Sequence, residues 1–435
     1  FIVGHLSRFS SANNHLLGEA LGLIYAGRYY PELKRAINWR RLGFDIFYKE
    51  FLRQVYPDGV GKEQAVHYLL YLFRFGVLAN LAAGLNNEIV PPEIIQRLES
   101  MAHFVACIMD CEGNVPAIGD EDGGQAVRLS EVTGNPYLSL LITAATLFGQ
   151  EELKDQVKEF DESSFWLCGT SGKEKFAGLQ PLAQRLRAIS FPQGGYVVLS
   201  PENQDFRQHL VFDCGPLGFG SLAAHGHADA LSFTLSANGE PLLIDCGTFL
   251  YLGAGQWRNY FRGTAAHNTV VVDGLDQSVQ VGPFQWGRKA KTSAANMKKN
   301  AGQLSVAASH DGYRKLGVIH HRRLTLVEPD IWEIEDRLNG RGIHQAELHF
   351  HMSPCVVAVT EPTSVACSFK KTKLEWQFFC DVPFEMSIVE GQENPPMGWH
   401  SPIFGVKRPH PVIVVTVKDQ LPLVVNTKIK VQNRL

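Results

Sequence analysis

Long apolar runs are scarce in this chain. No uninterrupted stretch approaches the roughly 20 apolar residues that a bilayer span needs, so membrane insertion is not expected. A surplus of one charge sign is also missing. Forty-one Lys and Arg stand against 44 Asp and Glu, a formal net charge of −3, which argues against a general nucleic-acid or membrane-surface binder. A local basic cleft for an anionic substrate stays open. Cysteine is sparse, eight in 435 residues and no CxxC pair, so nothing calls for a disulfide framework. Cys107 and Cys111, one helical turn apart, read as core residues. Low-complexity tracts and clear internal repeats are lacking too. The chain opens on Phe1 without an initiator Met or a signal peptide, so the expectation is that an N-terminal portion has been removed or left out.

What is present divides in two, as 435 residues lead one to expect. Up to about residue 188, apolar residues recur at helical spacing. Leu16, Leu17, Ala20, Leu21 and Ile24 form one stripe, and Val66, Leu69, Leu70, Phe73 and Val77 another. Ile94–Met109 and Leu138–Phe148 continue the pattern, with Pro91-Pro92 and the segment 119–124 as loops. Helical hairpins in succession point to a helical array or toroid. After Gly194-Gly195 the pattern turns to short β runs at 196–199, 209–212, 269–272, 324–327, 331–334 and 412–417, as in an antiparallel sandwich. The expected fold is therefore multidomain, a helical domain over 1–188 followed by a large antiparallel β-sandwich over 189–435.

The most chemical stretch is His225-Gly-His227-Ala-Asp229-Ala-Leu231-Ser-Phe233-Thr-Leu235. Read as a strand without a bulge, its odd positions share one face, which sets two imidazoles and a carboxylate beside Leu231, Phe233 and Leu235. Burying such groups is costly unless they are paired, hydrogen-bonded or metal-bound. Asp245 and His267, both in apolar contexts nearby, are the candidate partners. Imidazole nitrogen with carboxylate oxygen suits zinc. Hydrogen-bonded core histidines remain the alternative, and the irregular spacing does not decide between them.

Three more stretches stand out. Asn13, Asn14 and His15 precede an apolar stripe, and a helix N-cap at Asn13 or Asn14 accounts for them as well as a functional role does. Glu63-Gln64-Ala65-Val66-His67-Tyr68 leads into a helix on which Tyr68, Tyr71 and Phe75 share a face, a pattern that core packing also produces. Arg258, Tyr260 and Arg262 crowd just before a β run.

Taken together and in order, Asn-Asn-His at 13–15, Glu-Gln-x-x-x-Tyr at 63–68, His-Gly-His-Ala-Asp-Ala-Leu-Ser at 225–232, Asp-Cys-Gly-Thr at 245–248 and Arg-Gly-Thr-Ala-Ala-His-Asn-Thr at 262–269 resemble the heparinase II/III superfamily of polysaccharide lyases. The resemblance implies an α/α toroid, incomplete here because only about 190 residues are helical in pattern, followed by an antiparallel β-sandwich. It implies an anionic, uronate-containing polysaccharide as substrate and a periplasmic or secreted location. By the same resemblance, Asn14 neutralises the substrate carboxylate with His15 close by. Tyr68 is the Brønsted acid, in some members also the base, and His225 is the other proton-transfer or charge-neutralising residue. His227, Asp245 and His267 hold a structural zinc, and Tyr260 and Arg262 contact substrate, although a strand-edge salt bridge accounts for Arg262 equally well. Cys246 stands where the family commonly has Pro, and Ala65 where it favours Ser; neither change removes a reacting group.

The residue types fit β-elimination, in which the proton at C5 of a uronate leaves and the oxygen at C4 is expelled. Donors such as Asn and His must neutralise the carboxylate, and an acid and a base must reach the two sites. Tyr68 is expected to need cations such as His225 or Arg262 to lower its pKa. The active site is expected between the two halves. The competing readings are a catalytically silent polysaccharide-binding protein on the same scaffold and a hydrolase in which zinc activates water.

Overall fold

The computed structural model describes all residues except 86–87, 131–133, 183–187, 204–205, 301–302 and 435. Its first part is helical: α1 (Asn14–Tyr29), α2 (Ala36–Gln54), α3 (Val66–Leu85), α4 (Pro92–Ile108), α5 (Pro136–Phe148) and α6 (Glu162–Gly178). Local chemistry sets several of the boundaries. Asn13, not Asn14, caps α1, its Oδ1 accepting from the His15 N–H at 3.2 Å. Asn135 and Asp161 cap α5 and α6 in the same way, each satisfying a backbone donor that a helix start leaves open. The Pro91-Pro92 pair, expected as a loop, instead opens α4, with Pro92 in the first helical turn, where its missing N–H costs nothing. Cys107 is half-buried on α4, whereas Cys111 lies past the helix end and is exposed rather than in the core.

Helices α1 and α2 run antiparallel and cross at two glycines. A Cβ on Gly43 would lie 2.7 Å from the Ala20 carbonyl oxygen, and one on Gly27 would lie 2.4 Å from that of Ala36. Helix α3 is the apolar spine of this part. Its 20 residues are long and apolar enough to cross a bilayer by length and composition only, although Arg74 interrupts the run. In this fold that apolarity is used for packing, since Leu69, Leu72, Phe73 and Val77 lie in one core with Leu17 of α1 and Leu98 of α4.

Strands begin at Ala188, and every strand pair described is antiparallel. The first sheet orders its strands Ala188–Phe191, Tyr196–Leu199, Phe206–Asp213, Phe233–Ala237 and Glu240–Leu243. Both of its faces are covered, and the alternation of a strand divides them. Tyr196, Val198 and Val211 pack into the helical core, whereas Val197, Leu199, Leu210 and Phe212 join the β core. This explains why 196–199 reads as an unbroken apolar run. Beyond it lie an eight-stranded sheet and a four-stranded sheet that includes Ile343–His351 and Val412–Gln420, with Trp332, Phe350 and Trp376 between them. The fold is an α/α toroid-type helical region followed by a large antiparallel β-sandwich.

One expectation fails. His225–Ser232 is not a strand; regular pairing starts only at Phe233. Ala223 and Leu231 adopt positive φ values of 50° and 63°, which an extended strand does not tolerate. Gly226 passes so close to the Leu217 carbonyl that no Cβ would fit. The segment coils, and His225, His227, Asp229, Ala228 and Leu231 are all buried without alternation. Burial was legible; its cause was not.

The segment 119–124 forms the loop expected of it and lies at the junction of the two parts. Gly119 has φ +71°, and an added Cβ would stand 2.4 Å from the Gln64 carbonyl oxygen. Gly119→Ala should therefore lower stability by about 1–3 kcal/mol through backbone strain. Thermal unfolding of the variant checks this, and an unchanged melting temperature would show that the junction adapts freely.

Candidate active site

The site is organised on a carboxylate that the sequence reading passed over as loop punctuation. Asp120 is fully buried. Its Oδ2 accepts from His225 Nδ1 at 3.1 Å and from one Arg258 nitrogen at 2.7 Å. Its Oδ1 accepts from His227 Nε2 at 3.0 Å, from the second Arg258 nitrogen at 2.5 Å and from the Thr248 hydroxyl at 3.3 Å. Its backbone N–H donates to the His225 carbonyl at 2.9 Å. Arg258 comes from α7 (Gln256–Arg262). Burial alone would push the Asp120 carboxyl up, but the hydrogen bonds from His225, His227 and Arg258, with the Arg258 charge, hold it well below the usual carboxylate range. Its surroundings thus favour the anion strongly over the neutral acid.

Asp120 fixes His225, and His225 meets Tyr68. Their rings stack with centroids 3.9 Å apart and planes 22° from parallel. The Tyr68 hydroxyl lies 3.3 Å from Asp122 Oδ2 and 3.0 Å from the Tyr251 hydroxyl. Tyr71 donates to the other oxygen of Asp122 at 3.2 Å. The expectation that cations lower the Tyr68 pKa is overturned. Burial raises it; the Tyr251 hydrogen bond pulls the other way, while Asp122, Asp120 and Glu63 add to the rise. Arg262 lies elsewhere. It is fully buried, donating to the Gly282 and Pro283 carbonyls at 2.7 and 2.8 Å and lying 4.4 Å from the Trp286 ring centroid. Tyr260 is likewise packed, its hydroxyl against the Trp399 backbone. Both residues brace the site from behind, and neither offers a surface to substrate.

Asn14 opens α1 and is buried, its amide donating to Glu63 Oε2 at 3.1 Å. Glu63 also acts on the Tyr68 hydroxyl electrostatically, which links Asn14 to Tyr68 through one carboxylate. His15 is exposed beside it. The structure thus stacks Tyr68 on His225 and sets Asn14 on Glu63, and it adds Asp120, Asp122, Tyr251 and the contact of Arg258 with Asp120, none of them expected from the sequence. Three carboxylates within Asp120–Asp122, in a glycine-flanked loop between helices, were the available signal.

Behind this layer lie the candidate metal residues. His267 Nδ1 is 2.9 Å from Asp245 Oδ2. The donor atoms of His227, Asp229 and His267 all lie within 4.8 Å of one another. His227 Nδ1 and His267 Nε2 are buried without a hydrogen-bond partner among the described residues. Their opposite nitrogens are held by Asp120 and Asp245, the arrangement that orients imidazoles toward a metal. Burial lowers the His227 pKa to about 4, whereas the Asp245 carboxylate raises that of His267 against its own burial. Burial pushes Asp229 up to about 7, a carboxylate that a cation would compensate. The residues fit a divalent metal.

The fold is shared with solved structures. A crystal structure of heparinase III aligns with a TM-score of 0.79 at 19% identity, covering 98% of this chain and 62% of that one. A heparan sulfate lyase from Pedobacter heparinus aligns at 0.72 and 19%, covering 100% and 62%. Family models for the heparinase II/III N-terminus and the heparinase II/III-like C-terminal domain match residues 3–140 and 183–431, so the chain belongs to the heparinase II/III family. A heparin-sulfate lyase of Bacteroides stercoris is 28% identical over 357 residues, which are 80% of this chain and 47% of that protein. A second heparin-sulfate lyase, from Pedobacter heparinus, is 22% identical over 355 residues, again 80% and 47%. The chain spans about half the length of the curated relatives it matches.

Asp120 supplies a test with a defined sign. Because its pKa is depressed on folding, the stability it contributes is present above about pH 4 and is lost as pH falls through the lower folded value. Asp120→Asn leaves Arg258 buried without its anion, and breaking such a pair costs about 3–5 kcal/mol. The stability gap between wild type and variant, measured by denaturant unfolding, should be full at pH 7 and narrow in strong acid. A gap that does not change with pH would show that the charge is not what holds the site.

Proposed function

We propose that this chain carries the catalytic site of a lyase that cleaves heparan sulfate by β-elimination at a uronate. The observation that carries the reading is the stack of Tyr68 on His225 above the Asp120 carboxylate, with Asn14 held by Glu63. The names of the relatives support heparan sulfate over the other uronate polysaccharides.

The chemistry divides between the two rings. Asp120 can only accept, so His225 Nδ1 carries the proton and, in the neutral ring, Nε2 carries the lone pair. That tautomer is a base suited to the C5 proton. Tyr68, its pKa raised, keeps its proton and is suited to give it to the departing C4 oxygen. Asn14 is held by Glu63 as a preorganised donor for the uronate carboxylate, a contribution of about 3–4 kcal/mol to the developing enolate.

The zinc reading is kept as structural. His227 and His267 would supply nitrogen ligands and Asp229 an oxygen, while Asp245, expected from the sequence as a ligand, instead holds the opposite nitrogen of His267. A bound zinc would stiffen the layer behind Asp120. Burial weighs against the hydrolase reading, because a catalytic metal needs a position open to water and substrate, whereas His227 and His267 are 1% and 0% exposed. Retention of Asn14, Tyr68 and His225 together weighs against a silent binder.

Heparan sulfate incubated with the protein should yield 4,5-unsaturated uronate ends, read by ultraviolet absorbance. Saturated, water-added ends would sink the proposal. Tyr68→Phe should lose at least about 100-fold in turnover with folding intact. Tyr71→Phe, which only loosens Asp122, should lose much less, and equal losses would return both tyrosines to packing. His227→Ala should remove about one metal equivalent and lower the melting temperature; a variant with unchanged metal content would overturn the zinc assignment.

A further inference from the structure

A second cluster of ligand-type side chains lies in the β part, and the elimination chemistry does not use it. Cys246 follows Asp245 in the turn after the strand Glu240–Leu243. His351 ends the strand Ile343–His351, and His410 precedes the strand Val412–Gln420. Pairing of His351 with Val412 brings the two histidines together, and the Ser401 N–H donating to the Cys246 carbonyl at 2.8 Å holds the turn beside them. All three side chains are fully buried.

Cys246 Sγ lies 3.2 Å from His351 Nδ1 and 3.9 Å from His410 Nε2, and the two nitrogens are 3.1 Å apart. In a tetrahedral zinc site, metal–nitrogen and metal–sulfur bonds of about 2.05 and 2.3 Å put ligand atoms roughly 3.3–3.6 Å from one another. The three observed separations bracket that range. The orientation of His351 is settled by its other nitrogen, 3.0 Å from the Ala265 carbonyl. A carbonyl only accepts, so Nε2 carries the proton and Nδ1 directs its lone pair at the cluster. A thiol with two imidazoles is a donor set of zinc type. This group meets the same geometric condition as His227, Asp229 and His267, with ligand atoms within 4.8 Å, and it shares no residue with them.

We propose that Cys246, His351 and His410 form a second, sulfur-containing metal site that takes a divalent cation of the zinc class. Binding deprotonates the Cys246 thiol and releases that proton to solvent. The site is structural, since its burial leaves no approach for a polymer. It ties the Asp245–Thr248 turn to two strands of the four-stranded sheet. That turn carries Asp245 toward His267 and the Thr248 hydroxyl toward Asp120, so the second ion would brace both the first metal group and the active-site anion. Cys246 is the residue that sets this chain apart from the Pro common in the resembling family.

The sulfur makes the test independent of activity and of the first metal group, which has only nitrogen and oxygen donors. The full chain is stripped of metal and loaded with cobalt(II). Wild type should bind about two equivalents and show a thiolate-to-cobalt charge-transfer band. His227→Ala should lose about one equivalent and keep the band, whereas Cys246→Ser should lose about one equivalent and the band with it. If Cys246→Ser fails to fold, His410→Gln serves instead, with loss or clear displacement of the band expected. Absence of the band in cobalt-loaded wild type, or a band unchanged in Cys246→Ser or in His410→Gln, overturns the proposal.

Discussion

The buried anion of Asp120 is the constraint on which the rest of the site depends. A carboxylate without water is tolerated only when its lone pairs are met by donors and its charge by a cation. Here Arg258 supplies the charge in a two-pronged contact, and His225, His227 and Thr248 meet the remaining lone pairs. Those partners come from three separate segments of the β part, while Asp120 belongs to a loop of the helical part. The interaction that makes the anion tolerable is therefore the one that joins the two parts and sets both histidines of the His-Gly-His pair.

From that junction the two histidines diverge in purpose. Asp120 Oδ2 holds His225 toward Tyr68 and the proton-transfer chemistry, while Oδ1 holds His227 with its free nitrogen toward His267. One residue of separation in the chain becomes a division between a layer that meets Tyr68 and a layer that meets His267. Burial, with the carboxylates around Tyr68, raises its pKa rather than lowering it, so the phenol holds its proton more tightly than a free tyrosine does. Arg262 and Tyr260, on the buried face of α7, hold backbone groups at Gly282 and Trp399 in place.

The alternation in the first sheet serves the same end. Because Tyr196 and Val198 face the helices while Val197 and Leu199 face the other strands, this sheet is a wall common to both cores. The Gly194 carbonyl accepts from Gln64 at 3.1 Å at one end of that wall, next to the segment that leads into Tyr68. Apolar packing thus sets the distance between the parts, and the polar contacts around Asp120 set their register.

Helical stripes such as Leu16–Ile24 and Val66–Val77, the β runs from Tyr196 onward, and the ordered motifs carrying Asn14, Tyr68 and His225 were legible in the sequence, because period and local chemistry are written in neighbouring residues. Burial of the 225–231 segment was legible as well. That it coils instead of extending was not, since the Leu231 N–H donates to the Asp213 carbonyl and Gly226 lies against that of Leu217, contacts made only in the folded chain. Asp120, Asp122 and Tyr251 stayed hidden for the same reason. A carboxylate in a glycine-flanked loop looks like a solvated turn until distant donors close over it. The residue types able to move a proton were therefore determined by the sequence. The surroundings of each were decided by tertiary structure alone, because pKa and tautomer depend on burial and on charges from other segments, as with Asp120, 105 residues from His225.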